Sequence, residues 1–222
     1  MFHRWEPKLS PFRATAFFPA LVLVGAVASL LTITDTSSPE YVLASGLTVS
    51  LLTYFLVSWL PEKRRRKRIK HLLAKQYDSF KEECISIFFS ALGKSYSLEE
   101  QERLKNQAEF IHYFQEDLGD GDNRWYRVLN GLNERLISQL LSAIDMLVVE
   151  ISYALNMLDI DDDEVFRFLK RLSHVAHSYQ NFDDNYDDVK RLSGFLWTVH
   201  TGWSVIDGYT DRDVIQEMIE RI

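Results

Sequence analysis

The chain has 222 residues, 46% of them hydrophobic and 26% charged, a net charge of −7 and a single cysteine, Cys84. That length holds one globular domain plus something small, and a lone thiol excludes an intrachain disulfide, as suits a reducing compartment. Ten Lys or Arg face four Asp or Glu before His71 and 15 face 28 from there on, so the acidic part lacks the basic stripe that direct nucleic-acid binding requires.

Residues 1–13 form a basic flank with Arg4, Lys8 and Arg13. Ala14 to Thr34 is an uncharged run of 21 residues, which as a helix rising ~1.5 Å per residue spans the ~30 Å hydrocarbon layer. Asp35 to Glu40 is a polar turn, and Tyr41 to Pro61 is a second uncharged run of equal length. The expectation is a transmembrane hairpin over 14–60, with spans 14–34 and 41–60 joined by the loop 35–40, and with Pro61 breaking or kinking the helix at the interface.

A basic juxtamembrane segment follows at 61–70, carrying Lys63, Arg64, Arg65, Arg66, Lys67, Arg68 and Lys70. The loop has no Lys or Arg while both flanks are rich in them, which predicts that both termini stay in the cytoplasm. The same cations suit anionic lipid, each worth ~1 kcal/mol near the surface. A cleavable signal peptide ending at Ala26-Val-Ala28 is the alternative for the first span, and a nuclear or nucleic-acid signal the alternative for the basic run. Apolar residues continue past Ala28, and the basic run abuts a bilayer-length helix, so the hairpin is the preferred reading.

Neither span contains Asp, Glu, Lys, Arg or His, which argues against a proton relay, a fixed ion site or a voltage sensor. Small and hydroxylated residues recur at helical spacing instead: Gly25 with Ser29, and Gly46, Ser50 and Thr53. Such faces pack helices closely, either within the hairpin or between copies around a polar path.

From His71 to Ile222 the pattern predicts an all-α cytoplasmic domain. Leu73, Tyr77, Phe80, Cys84, Ile87 and Ala91 form one helical stripe. Ser97-Leu-Glu-Glu100 reads as a capping box opening a helix with Leu104, Ala108, Ile111, Phe114 and Leu118 on one face. A central helix runs from Arg124 to Leu158 with a bend at Gly131. A fourth helix follows Asp159–Asp163 and ends near Tyr179, a fifth spans about Asp188 to Trp203, and Thr210–Asp213 caps a short last one. Strand signals are almost absent.

The acidic clusters at Asp159–Asp163 and Asp183–Asp188 fail the spacing of a calcium loop, which needs a turn glycine at its sixth position and a glutamate at its twelfth. They read as helix caps, so no metal site or cofactor is expected. His112 and His200 lie among aromatic and aliphatic residues and read as packed rings, while Trp125, Trp197 and Trp203 serve the core or a partner surface. Arg171 stands six positions before His177, which resembles the Arg-x(4-6)-His motif of HEPN-type ribonucleases, although Leu172 replaces the usual polar residue. That resemblance implies Arg171 and His177 as catalytic residues; surface or core histidines of a helix are the other reading.

A short N-terminal hairpin, a Lys63–Lys70 stop and a helical domain without an evident active site resemble the two-transmembrane effectors of bacterial anti-phage systems, retron-associated ones in particular. The likeness is architectural and assigns no individual residue. It implies a non-enzymatic, homo-oligomeric effector at the inner membrane. Such an effector is restrained by a reverse transcriptase with its DNA-RNA product and disrupts the bilayer on release in abortive infection. A plain membrane adaptor is a further alternative.

Overall fold

The computed structural model describes residues 22, 24, 25, 27, 28, 38–117, 119, 121–181, 186–204, 208–210 and 212–222. Among these the protein is predominantly helical, and the chain divides into two compact units, Met1–Arg68 and Ile69–Ile222. Most of the expected first span, Ser29 included, lies outside the described residues; positions 22, 24, 25, 27 and 28 are helical.

Helix α1, Pro39–Tyr54, starts two residues before the expected span, because the Ser38 hydroxyl accepts from the Tyr41 amide at 3.2 Å and Pro39 occupies the first turn, where its missing N–H costs nothing. A five-residue π-helical turn, Phe55–Trp59, follows, and α2 runs from Leu60 to Ala91 without a break. Of the two outcomes expected at Pro61, a break is absent. Proline lacks the N–H for the preceding turn and crowds its carbonyl, and the widened turn, in which the Leu60 amide bonds Phe55 O, sits directly before it.

In the second unit the stripe of α2 is buried at Leu73, Tyr77, Phe80, Cys84 and Ile87, and Phe88 and Phe89 widen it. The helix expected from Ser97 to Leu118 is two helices, α3 (Leu98–Leu104) and α4 (Gln107–Gln115). The Asn106 side chain accepts from the amides of Ala108 and Glu109 at 3.0 and 3.3 Å and restarts the helix, so that Phe110 and Phe114 point inward while Ala108 is exposed. The expected central helix is likewise divided into α5 (Arg124–Gly131) and α6 (Glu134–Met157), with Asn133 capping the latter. Gly131 is fixed by packing: a Cβ there would lie 2.1 Å from the carbonyl oxygen of Ala91.

Helix α7, Asp163–His177, runs into a 3-10 turn, Ser178–Asn181. Helix α8 spans Tyr186–Thr201, and α9, Val214–Arg221, ends the fold. Between them lies an antiparallel pair of two-residue strands, β1 (Trp203–Ser204) and β2 (Gly208–Tyr209), with Trp203 opposite Tyr209, which no sequence alternation announces. Helix α6 packs along α7, α9 lies against α7, and α4 touches both α5 and α8. Phe88 of α2 meets Phe110, Phe114, Trp125 and His200 with ring centroids 5.0 to 6.2 Å apart, which joins α2, α4, α5 and α8 in one aromatic core.

Candidate functional site

Two described helical stretches are long and apolar enough to cross a membrane, Pro39–Ala91 and Glu134–Met157. Their surroundings separate them. Of the most apolar window, 44% is buried within the protein in Glu134–Met157 but 6% in Pro39–Ala91. The former spends its apolar residues on the core, with Leu140, Ile144, Leu147 and Ile151 buried. The latter leaves Val42, Leu43, Leu47, Val49, Leu52, Leu56 and Val57 exposed, a surface water solvates at high cost and lipid does not.

The apolar stretch ends in a layered boundary. Tyr54, Phe55 and Trp59 form an aromatic group, with centroids 5.8 and 5.6 Å apart, and the Lys63 ammonium lies 4.8 Å from the Trp59 ring. Beyond it Lys63, Arg64, Arg65, Lys67 and Arg68 are exposed, while Arg66 and Lys70 are partly covered. The run is helical, and at ~100° per residue the exposed cations cover an arc of ~200° of the axis, with Arg66, buried Ile69 and Lys70 on the remaining side. Glu62 pairs with Arg65 at 3.5 Å, and Lys70 donates to the carbonyl of Glu220 in the last turn of α9.

Of the small residues expected to pack, Gly46, Ser50 and Thr53 are exposed in the described residues. A Cβ on Gly46 would meet nothing within 4 Å among the described residues. Thr48, on another side, is the buried one, its hydroxyl bonding the carbonyl of Ala44 at 2.8 Å.

Arg171 and His177 both lie on α7 and are both exposed. Six residues of helix separate them by ~9 Å along the axis and ~120° around it, so the two side chains leave the helix in different directions and do not converge on one reacting group. His174 is exposed as well.

His112 is exposed rather than packed; His200 is buried against Phe110 at 4.7 Å. Its Nδ1 lies 2.9 Å from the carbonyl of Leu196, an acceptor only, so Nδ1 carries the proton and Nε2 is an enclosed acceptor with no partner among the described residues. Burial, with a smaller contribution from the Lys81 charge, lowers its pKa from 6.5 to about 4 and keeps the ring neutral. Trp125 and Trp197 join the same cluster, 5.1 Å apart.

Sequence reasoning passed over a polar network beside this core. Asp213 caps α9 and accepts from the Tyr77 hydroxyl at 3.0 Å and from Lys81 at 3.0 Å. Lys105 reaches Asp78, Glu82 and Glu102 at 3.1, 2.9 and 2.5 Å; partial burial opposes its charge, but the three carboxylates outweigh it and raise its pKa. A polar groove of about 620 Å³ opens beside it, lined in part by Glu82, Glu83, Ser86, Gln101, Arg135 and Gln139. Because its residues come from α2, α3 and α6, no local spacing marks them.

The acidic turn before α7 acts as a cap. Asp162 accepts from the amides of Glu164 and Val165 at 3.0 and 3.3 Å and from Arg221 at 2.7 Å. Burial raises its pKa, yet Arg221 and the amides more than offset this and hold the carboxyl below its ordinary range. Comparison with protein-family models, curated proteins and solved structures found no match to the chain.

Proposed function

We propose that the chain is a non-enzymatic, membrane-anchored effector of an anti-phage system. Residues 14–60 form a transmembrane hairpin that leaves both termini in the cytoplasm at the bacterial inner membrane, and residues 71–222 bind a regulatory partner. Hairpins from several copies then assemble and permeabilise the bilayer. The observation that carries this reading is the largely exposed apolar helical stretch Pro39–Trp59, closed in order by aromatic and cationic residues. Apolar body, aromatic belt and cytoplasmic cations are the succession a bilayer selects. The uncovered Gly46, Ser50 and Thr53 support assembly between copies, since small residues let helix backbones approach.

The resemblance to retron-associated effectors supplies the partner, a reverse transcriptase with its DNA-RNA product, and the outcome, arrest of the infected cell. Expression of the chain alone in bacteria, with a membrane-potential dye and growth curves, tests the reading. Depolarisation and arrest are expected, abolished by Gly46→Arg at unchanged membrane abundance. Intact polarisation at high membrane abundance overturns it. His177→Ala is expected to leave the effect unchanged, whereas a ribonuclease using Arg171 and His177 would lose its activity.

A further inference from the structure

The acidic balance of residues 71–222 argues against nucleic-acid binding, but it averages over a local exception on α7. Arg167, Lys170, Arg171, His174 and His177 are all exposed, and from Val165 to Phe182 the chain has no Asp or Glu. At ~100° and ~1.5 Å per residue the five fall within an arc of ~120° and extend ~15 Å along the axis. In the chain they alternate with Phe168, Leu169 and Leu172, which are buried or half-buried, so no basic run announces them. The helix dipole accounts for basic residues in a last turn, and the three permanent cations all precede it.

The stripe keeps its charge. Among the described residues Arg167 donates to the carbonyl of Asp163 at 3.1 Å, Lys170 lies 5.9 Å from the Phe166 ring, and none of the three cations pairs with a carboxylate. The carboxylates of neighbouring elements are engaged elsewhere. Asp162 and Glu164 hold Arg221 at 2.7 Å each, Glu217 holds Arg212 at 3.4 Å, Glu220 lies beside Lys70, and none of Asp145, Asp159 and Asp161 is free. Glu150 leaves α6 ~160° round from Ser152, whose hydroxyl meets that of Ser173 on α7 at 3.5 Å.

Charge and shape select the occupant. Cations without carboxylate partners attract a polyanion. An anionic bilayer is a plane and would also meet Asp163, exposed one turn before Arg167 in the same arc, with Asp159 and Asp161 beyond it. A nucleic-acid strand is narrow enough to cross the stripe alone. Phe166, 37% exposed, and the two imidazoles border the cations with ring faces on which bases stack, a feature that neither lipid headgroups nor an acidic peptide requires.

We propose that the Arg167–His177 face of α7 binds a single nucleic-acid strand, with Arg167, Lys170 and Arg171 on its phosphates and Phe166 stacked on a base. The inference rests on the partner-binding role proposed for residues 71–222 and brings the nucleic acid of that partner directly against the domain.

The test uses the full chain in phosphatidylcholine nanodiscs at low salt and a fluorescent oligouridine strand of about 15 nucleotides, with empty discs as background. The parent is expected to bind. Replacing Arg167, Lys170 and Arg171 together with Gln should weaken binding about tenfold or more and reduce the slope of its logarithmic salt dependence by about 2. Replacing Arg64, Arg65 and Lys67 with Gln removes as many exposed cations from the juxtamembrane run and should change binding less. Phe166→Ala should weaken binding severalfold at an unchanged salt slope. All these side chains are exposed, so the variants should melt as the parent does. No binding above empty discs, parent-like binding by the α7 triple variant, or equal losses in the two triple variants overturns the proposal. So does a polyglutamate peptide or a phosphatidylserine vesicle that binds the parent as tightly as the strand does and loses that binding in the α7 variant, which would give the face to an acidic protein or to lipid. Strand binding is read without membrane potential, so a failed effector and a failed strand site are seen separately.

Discussion

An imidazole that ionises at 6.5 in water is held to about 4 at His200, and the difference sets a pH dependence of stability. Between those values the unfolded chain carries a proton that the folded chain refuses, so stability rises with pH across the window. The contribution is complete above 6.5 and is lost progressively as pH falls toward 4. At pH 4.5 the loss is on the order of 2 to 3 kcal/mol relative to pH 7. His200→Phe keeps a ring of similar size in the aromatic cluster and removes the titration. Denaturant unfolding of both proteins at pH 4.5 and 7 should show the parent losing roughly 2 to 3 kcal/mol more than the variant, while the Asp162 contribution cancels. Equal losses would mean that burial of neutral His200 is not the source. The packed role of His200 was legible from its aliphatic and aromatic neighbours. The same argument misplaced His112, because neighbours along a helix point in different directions and local composition does not fix a face.

Helix boundaries follow from single side chains, and those with a polar run around them were readable. Ser97, Asp162 and Asp213 each cap a helix where the sequence announces one. Asn106 and Asn133 were not, because the apolar spacing in the sequence continues across both positions, although two residues outside the helices separate the segments at each. The paired strands at Trp203 and Tyr209 are too short to show any alternation. Asp213 does more than cap: burial, reinforced by this carboxylate, raises the pKa of Tyr77 well above the ordinary phenol range, so its hydroxyl stays a donor to Asp213. Asp213→Ala removes a cap and orphans that donor, a combined cost of about 2 to 4 kcal/mol. In a double-mutant cycle with Tyr77→Phe, the double variant should be more stable than the sum of the singles predicts, because no buried hydroxyl remains unmet. Additive losses by thermal unfolding would show that Tyr77 and Asp213 are not coupled.

The chain as a whole divides its charge sharply, ten cations to four anions before His71 and 15 to 28 after it. This division was fully visible in the sequence, as was the apolar body that precedes Lys63, since both are properties of composition rather than of packing. The exposed stripe of Met146, Val149, Tyr153 and Met157 on α6 was not, because it depends on which of that helix's apolar residues the core leaves over. For an anchored chain, the charge division has a directional consequence. Lys63, Arg64, Arg65, Lys67 and Arg68 stand exposed around one helical turn and a half, next to an uncharged stretch that has no orientation of its own. Cationic residues resist translocation, whereas Asp and Glu contribute little to orientation, so the acidic domain cannot retain itself. Replacing those five residues with Gln should therefore place part of the population with its C-terminus across the membrane. A reporter fused after Ile222, active on one side of the membrane, measures the fraction; for the parent chain it should read cytoplasmic throughout. Binding to vesicles containing anionic lipid should weaken in the same variant, by ~1 kcal/mol for each cation near the surface, and more steeply at low salt than at high. A variant that keeps its C-terminus wholly cytoplasmic would shift the burden of orientation to Arg4, Lys8 and Arg13, and the same substitution made there would then decide it.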